Sequence, residues 1–466
     1  MAIHKLPANL RLTGIDNHQP NQVDHAARTQ KVLTPRKSIL KLHRRPNSIA
    51  FRPLTRDITD RFPLELVRLV IDFLAHDWDS LSSCSLVCRA WHPFCRLHFH
   101  HRMTVHPGNA SHFFEITKSP RLGIQENVHH LVVQKQEHVV DHFYLLHSTP
   151  NASPTTAKPA KTPPWNAQHT TPRPFEVSHI LSNATSLAYI TKLTLQKGYG
   201  ESSAFASHLN DFHYLEELEI RSFEFNSFSD LTSVISAQPN VRRLALTDIA
   251  WGPPQSAHET SSAPNNHSQI QTRVLPNLRR LELFMERQAE LFNWLLGRPT
   301  IPSVEYIALG GITEVDDGIA VSRFLRSLGP VLKHLRLYTP NRISQVNLVH
   351  NTGLQSLKIS HLHIGASDRK STRDRPTSAG DEVCTILSQL CSPHIAEISL
   401  QLLFNEPECF ATINWSEVSR MLSLPRYQKL AKMELRIPKL KRWMSGFITK
   451  ALPTIASRGL LVLVNG

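Results

Sequence analysis

The sequence predicts an α/β fold: three short helices near the N-terminus, then an irregular solenoid with parallel strands on its concave face and helices outside. Three observations carry this. A six-residue register, apolar-x-x-apolar-x-apolar, recurs ten times between Val128 and Leu435. Segments of helical periodicity fill the intervals between most copies. The stretch Phe62–Trp91 instead spaces its apolar residues for helices, without the strand register.

Residues 1–57 are polar, basic and without sustained periodicity, which predicts a disordered tail. The first 60 residues hold eleven Lys and Arg against four Asp, a net +7 and half of the formal +14. The basic balance therefore describes mainly a tail, and no specific nucleic-acid partner is expected from it. The cluster Arg36-Lys37 with Lys41-Leu42-His43-Arg44-Arg45 reads as a nuclear-import signal, as a contact for acidic surfaces, or as a solvated tail.

Pro63 suits a helix start, where its missing N–H costs nothing. Leu64, Val67, Ile71 and Leu74 form one apolar stripe; Leu66, Leu69 (or Val70) and Phe73 form another. A helix apolar on two sides packs one on its neighbours and offers the other to a partner or the next domain. After a turn at His76–Ser80, Asp79 or Ser80 is the expected N-cap of a second helix. Pro93 fits only a first turn, which breaks the chain near Val87–Arg89 and starts a third helix at Trp91.

The order Phe62-Pro63, Glu65-Leu66, Phe73-Leu74 and Val87-Cys88-Arg89-Ala90-Trp91 resembles the F-box, over residues 58–102. The sequence departs from that pattern at Phe62, where the family has Leu. The resemblance implies docking on the Skp-type adaptor of cullin–RING ubiquitin ligases. It also implies adaptor contacts at Pro63, Leu64, Leu66 and Ile71, with Leu86 and Trp91 from the later helices.

Residues 103–466 form the expected solenoid. From Ile190 onward the register restarts after 25, 26, 37, 26, 28, 22, 41 and 35 residues, against a leucine-rich-repeat period of roughly 20–29. Mobile insertions are expected at 148–174, rich in proline, and at 252–272 and 365–380, which account for two of the long gaps. Prolines at 239, 276, 302, 330 and 393 stop helices just before the next strand. A single repeat cannot cover its own three apolar positions, so neighbours bury them together. The array resembles leucine-rich repeats but lacks the Asn/Cys that closes the consensus unit, and its first and last copies (VHHLVV, LAKMEL) are read as caps.

Signals for chemistry are sparse. Cys84, Cys88, His92, Cys95 and His98 would make a soft stripe on one unbroken helix, but Pro93 breaks it, and packing cysteines are the expected reading. No phosphate-cradling loop, nucleophile elbow or metalloprotease spacing occurs, so neither an enzyme nor a cofactor is expected. No apolar run is long enough to span a bilayer and the start lacks a signal-peptide core, which predicts a cytoplasmic or nuclear protein without a membrane partner.

The informative surface is the concave face, where positions three, five and seven of each unit project. Arg243, Arg280, Tyr306 and His334 occupy position three on consecutive repeats and span roughly 15 Å at strand spacing. Arg336 at position five, with Phe284 and Tyr338 at position seven, completes the expected target-binding set. Arg and aromatic residues together are the usual interface anchors, although any solenoid face of this size displays some of them by chance. The expected function is a non-catalytic substrate receptor, its F-box holding the adaptor and through it the cullin, its repeats holding an unidentified protein. A ligase-independent interaction scaffold is the alternative.

Overall fold

The computed structural model describes residues 63–75, 77–87, 89–119, 123–135, 177–187, 189–200, 202–252, 275–312, 314–338, 345–364, 379–404, 409–410 and 413–465. The tail expected at 1–57, the insertion at 148–174, and all but the ends of those at 252–272 and 365–380 lie outside the described residues, as do Phe62 and Cys88.

Three helices come first: α1 (Leu64–Phe73), α2 (Trp78–Ser85) and α3 (His92–His101). Pro63 directly precedes α1 and Pro93 lies in the first turn of α3, where proline is tolerated. The cap of α2 is Asp77 rather than Asp79 or Ser80. Its carboxylate accepts the Ser80 N–H at 3.1 Å and the Ser80 hydroxyl at 2.7 Å, and Asp79 is already helical. Val67 and Ile71 pack with Leu81 and Cys95 in a small core that Leu74, Trp91 and Phe94 partly cover. His98 Nε2 lies 2.8 Å from Asp72 Oδ1 and ties α3 to α1.

The rest is built on one sheet. Its strands are β1 (Arg102–Val105), β2 (His130–Gln134), β3 (Lys192–Gln196), the two-residue β4 (Tyr199–Gly200), β5 (Glu217–Phe225), β6 (Arg243–Trp251) and β7 (Arg280–Phe284). They continue as β8 (Tyr306–Leu309), β9 (His334–Tyr338), β10 (Ser356–Ile364), β11 (Glu397–Phe404), β12 (Lys432–Ile437) and β13 (Leu461–Asn465). Except for β4, which pairs with β5 off the path, they lie side by side in chain order, each neighbour parallel. All ten copies of the sequence register are strands. Their three apolar positions, such as Val241, Leu244 and Leu246, are buried in one continuous core beneath the helices.

The helices expected at 204–212, 229–237, 289–296, 319–328, 381–390 and 415–422 are present as Ser202–Leu209, Phe228–Ser236, Gln288–Leu296, Val315–Leu328, Ala379–Gln389 and Trp415–Leu422. The last two residues of the insertion expected at 365–380 are thus already helical. Ala110–Thr117, Val177–Ala184 and Arg442–Ala451 add helices that the repeat pattern does not mark.

Both ends of the array run further than the register implied. VHHLVV and LAKMEL are not the terminal units, because β1 pairs outside β2 and β13 outside β12. In each added strand the first apolar position carries a polar residue. Pairing of Met103 with Leu131 puts His100 there, and pairing of Met433 with Leu461 puts Arg458 there. Arg458 turns this to use by donating from Nη2 to the carbonyls of Gln428 (2.9 Å) and Leu430 (3.3 Å).

The missing consensus Asn/Cys is replaced by different side chains three residues before the strand register. Gln238, Asn351, Ser392 and Tyr427 all stand there, before Val241, Leu354, Ile395 and Leu430. Asn351 donates to the Leu325 carbonyl (2.7 Å) and the Gly329 carbonyl (3.1 Å); Ser392 donates to that of Leu354 (2.6 Å), and the Tyr427 hydroxyl to that of Leu387 (2.6 Å). Gln238 donates likewise to Leu209. These buried donors satisfy carbonyls where a helix or turn gives way to the next strand.

Candidate functional site

One face of the sheet is covered by the helices; positions three, five and seven of each unit lie on the other, where several at position five, such as Ala245, Ala308 and Glu434, are buried among their neighbours. The register brings Arg243, Arg280, Tyr306 and His334 into one row across β6 to β9. The Arg280 guanidinium lies 4.1 Å over the Tyr306 ring, and His334 Nδ1 lies 2.9 Å from the Ser356 hydroxyl. Burial, with Lys333 nearby, lowers the pKa of His334.

One strand, β8, separates Phe284 from Tyr338, yet their rings meet edge to face with centroids 4.9 Å apart. The residue between them is Gly310, on the chain just after β8. A Cβ there would sit 2.8 Å from Phe284 Cδ1, so only glycine lets the ring lean across. Arg336 stacks on Tyr338 at 4.3 Å. The target-binding residues expected from the sequence thus form one neighbourhood on β6 to β9. Gly310 has no side chain to mark it in the sequence, and its role shows only in the 2.8 Å approach of Phe284 Cδ1 to its Cβ position.

Charge on this face is organised in chains. Glu217 meets Lys192 (3.4 Å) and Arg243 (3.3 Å), and Glu282 Oε1 meets both Arg243 (3.0 Å) and Arg280 (2.5 Å). Burial works against ionising Glu219, but Arg221 and Lys192 outweigh it and its pKa falls. Farther along, Glu397 meets Lys358 (3.5 Å) and Lys432 (3.3 Å). Burial likewise opposes the charge on Glu434, and its partners Lys432 and Arg436 hold the carboxyl at about 2. At the other end, burial, reinforced by Lys192 and Arg102, pulls His130 down to about 4.

The helical module offers a second surface. On α1, Leu66, Leu69, Val70 and Phe73 are exposed along one stripe, while Val67 and Ile71 are buried on another. Pro63 and Leu64 are exposed at the helix start. Leu86 and Val87 are exposed after α2, with Phe73 and Leu86 at 89% and 84%. Ile71 requires a correction. It is fully buried among Val67, Leu81 and Cys95, so it shapes the module from inside and offers no contact surface. Trp91 is partly buried against the same core. The free stripe is Leu66, Leu69, Val70 and Phe73, displaced by about 100° from the buried one at helical spacing.

A hollow of about 390 Å³ beside the helices Gln288–Leu296 and Val315–Leu328 is lined by Arg287, Glu290, Asp317 and Arg323, without Ser, Cys, His or Lys. Burial raises the pKa of Asp317, whose Oδ1 accepts the Ala289 N–H at 2.7 Å and so caps the helix of the preceding repeat. Burial also pushes the Cys95 thiol up, away from nucleophilic use. Among the described residues no group of three His, Cys, Asp or Glu could hold a metal ion, and no helix is long and apolar enough to cross a membrane.

No protein-family model matches the sequence, and no curated protein does. Among solved structures the chain is similar to an internalin (inlF) from Listeria monocytogenes, at 15% identity and a TM-score of 0.29, over 61% of this chain and 69% of that one. It is also similar to an internalin C2 from the same organism, at 14% identity and a TM-score of 0.23, over 55% and 83% of the two chains. Likeness at this level bears on neither partners nor activity.

Proposed function

We propose that the chain is a non-catalytic substrate receptor: the three-helix module docks a Skp-type adaptor of a cullin–RING ubiquitin ligase, and the open sheet face holds a protein target. The observation that carries the reading is the exposed apolar stripe Leu66, Leu69, Val70 and Phe73, together with the exposure of Leu86 and Val87. A module whose own core contains four fully buried side chains leaves at least as many large ones in water. That distribution favours a partner that covers them. The order of Pro63, Glu65-Leu66, Phe73-Leu74 and Arg89-x-Trp91, which resembles the F-box, supplies the identity of that partner.

Each large aliphatic or aromatic side chain removed from water at such an interface is worth about 1.5–3 kcal/mol. Replacing Leu66 and Phe73 together by Ala should therefore weaken adaptor capture by at least about ten-fold, at roughly 1.4 kcal/mol per decade. The expected result is lost co-precipitation of adaptor and cullin with unchanged thermal unfolding, since both side chains are exposed. Ile71→Ala is the contrasting variant, losing capture through collapse of the small core. Full adaptor capture by a folded Leu66/Phe73 variant would refute the assignment, and adaptor without cullin would favour a scaffold outside the ligase.

A further inference from the structure

Arg336 and Lys358 occupy the same position on neighbouring strands, directly opposite one another in the parallel register of β9 and β10. Like charges so placed repel and destabilise the pair. Elsewhere on the face such positions are neutralised. Glu282 serves Arg243 and Arg280, Glu434 serves Lys432 and Arg436, and Glu219 serves Arg221. Among the described residues the carboxylate that reaches Lys358 is Glu397 at 3.5 Å, and it is shared with Lys432 at 3.3 Å. Arg336 has no carboxylate partner among the described residues, and its buried Nε has no acceptor. On its other side stands Ala308, too short to intervene. The guanidinium is held by the Tyr338 ring, which orients it without neutralising it.

We infer that this point of the open face recognises acid: Arg336 and Lys358, set beside the Phe284–Tyr338 ring pair, receive a carboxylate from an acidic peptide segment of the bound protein. The inference rests on the reading of that face as target-binding. It adds which chemistry the face selects. A planar guanidinium held by stacking loses little freedom on pairing with a carboxylate. The adjacent rings supply an apolar platform for a neighbouring peptide side chain, and a bound carboxylate removes the repulsion between the two cations.

The probe is a fluorescein-labelled Gly-Glu-Glu-Tyr-Glu-Gly peptide, followed by anisotropy on the full chain, beside the same peptide with Gln for Glu and one with phosphoserine for the central Glu. The Glu peptide should bind, the Gln peptide at least about ten-fold more weakly, and Arg336→Gln with Lys358→Gln should lower Glu-peptide affinity by about ten-fold or more. Arg221→Gln, whose guanidinium is already held by Glu219 on the same face, should stay within about two-fold of the parent. A Lys41→Gln, Arg44→Gln, Arg45→Gln variant controls for attraction by the tail and should do the same. Phosphoserine binding much tighter than Glu would replace the carboxylate with phosphate and overturn the inference as stated. Equal binding of Glu and Gln peptides, no binding, or loss in the tail variant alone would also overturn it. Adaptor capture measured on the same variants keeps the two readings separable: the Arg336/Lys358 variant should capture adaptor normally, and the Leu66/Phe73 variant should bind the peptide normally.

Discussion

Asn351 joins two repeats at a buried point, and its replacement by Ala has a calculable cost. The side chain is 1% exposed, and its Nδ2 donates to the carbonyls of Leu325 at 2.7 Å and Gly329 at 3.1 Å. The Leu325 carbonyl keeps a second donor, the Gly329 N–H that closes the helix Val315–Leu328. The Gly329 carbonyl, at the head of the 3-10 turn Gly329–Val331, loses its side-chain donor. Leaving a buried carbonyl unpaired costs about 1–3 kcal/mol. A small void adds to this, so Asn351→Ala should lose about 2–3 kcal/mol. Thermal unfolding should fall by several degrees, and amide exchange should accelerate most between Leu325 and Leu357. Asn347→Ala is the control. That side chain is exposed and accepts only the Val349 N–H, so its change should stay within about 0.5 kcal/mol. Equal stability of the two variants would show that the donor before the strand does not join the repeats.

Gly310→Ala should cost about 1–3 kcal/mol by overpacking, because the new Cβ would lie 2.8 Å from Phe284 Cδ1 and 3.3 Å from Phe284 Cα. Loss of near-ultraviolet circular dichroism from the Phe284–Tyr338 pair would accompany the lower melting temperature, and a silent substitution would mean that the ring does not lean across β8. The folded chain holds His130 at about 4 against an ordinary 6.5, first through burial and then through Lys192 and Arg102. The unfolded chain therefore binds the extra proton between those values, so this contribution is complete above pH 6.5 and is lost as pH falls to about 4. His130→Gln should flatten the fall in unfolding free energy from pH 7 to 5, and an unchanged slope would assign it to His100, His101 and His334, which burial also depresses.

The strand array was legible because its signal is redundant. Each unit spends three apolar residues on the core, and ten units repeat the register, so irregular spacing does not hide it. The two end strands were not legible, because His100 and Arg458 replace the first apolar anchor where a terminal repeat has a neighbour on one side only. The bonds before the strands were hidden for a different reason. Gln238, Asn351, Ser392 and Tyr427 share one geometric task but no chemical type, so a search for the consensus Asn or Cys passes over them. On α1 the two apolar stripes were visible, but which one faces inward depends on where Leu81 and Cys95 arrive from α2 and α3. That long-range placement decided Ile71 against the sequence expectation.

The gaps between repeats follow from the same architecture. Five internal segments of four or more residues outside the described chain, 136–176, 253–274, 339–344, 365–378 and 405–408, each come soon after a strand: β2, β6, β9, β10 and β11. All therefore attach at the C-terminal edge of the sheet. At the opposite edge the start of β10 shows a tight constraint. There the chain returns from helix to strand over a buried donor or apolar residue and then an apolar anchor, as at Asn351 and Leu354, so an added residue would shift the register. A one-residue slip would turn the buried set outward and carry Arg336 and Lys358 into the core. Insertions at the permitted edge cost little, because loop closure rises only by about 0.6 kcal/mol for each doubling of length. Arg336 and Lys358 thus keep their place through the register that the buried anchors Leu335, Leu337, Leu357 and Ile359 set for β9 and β10.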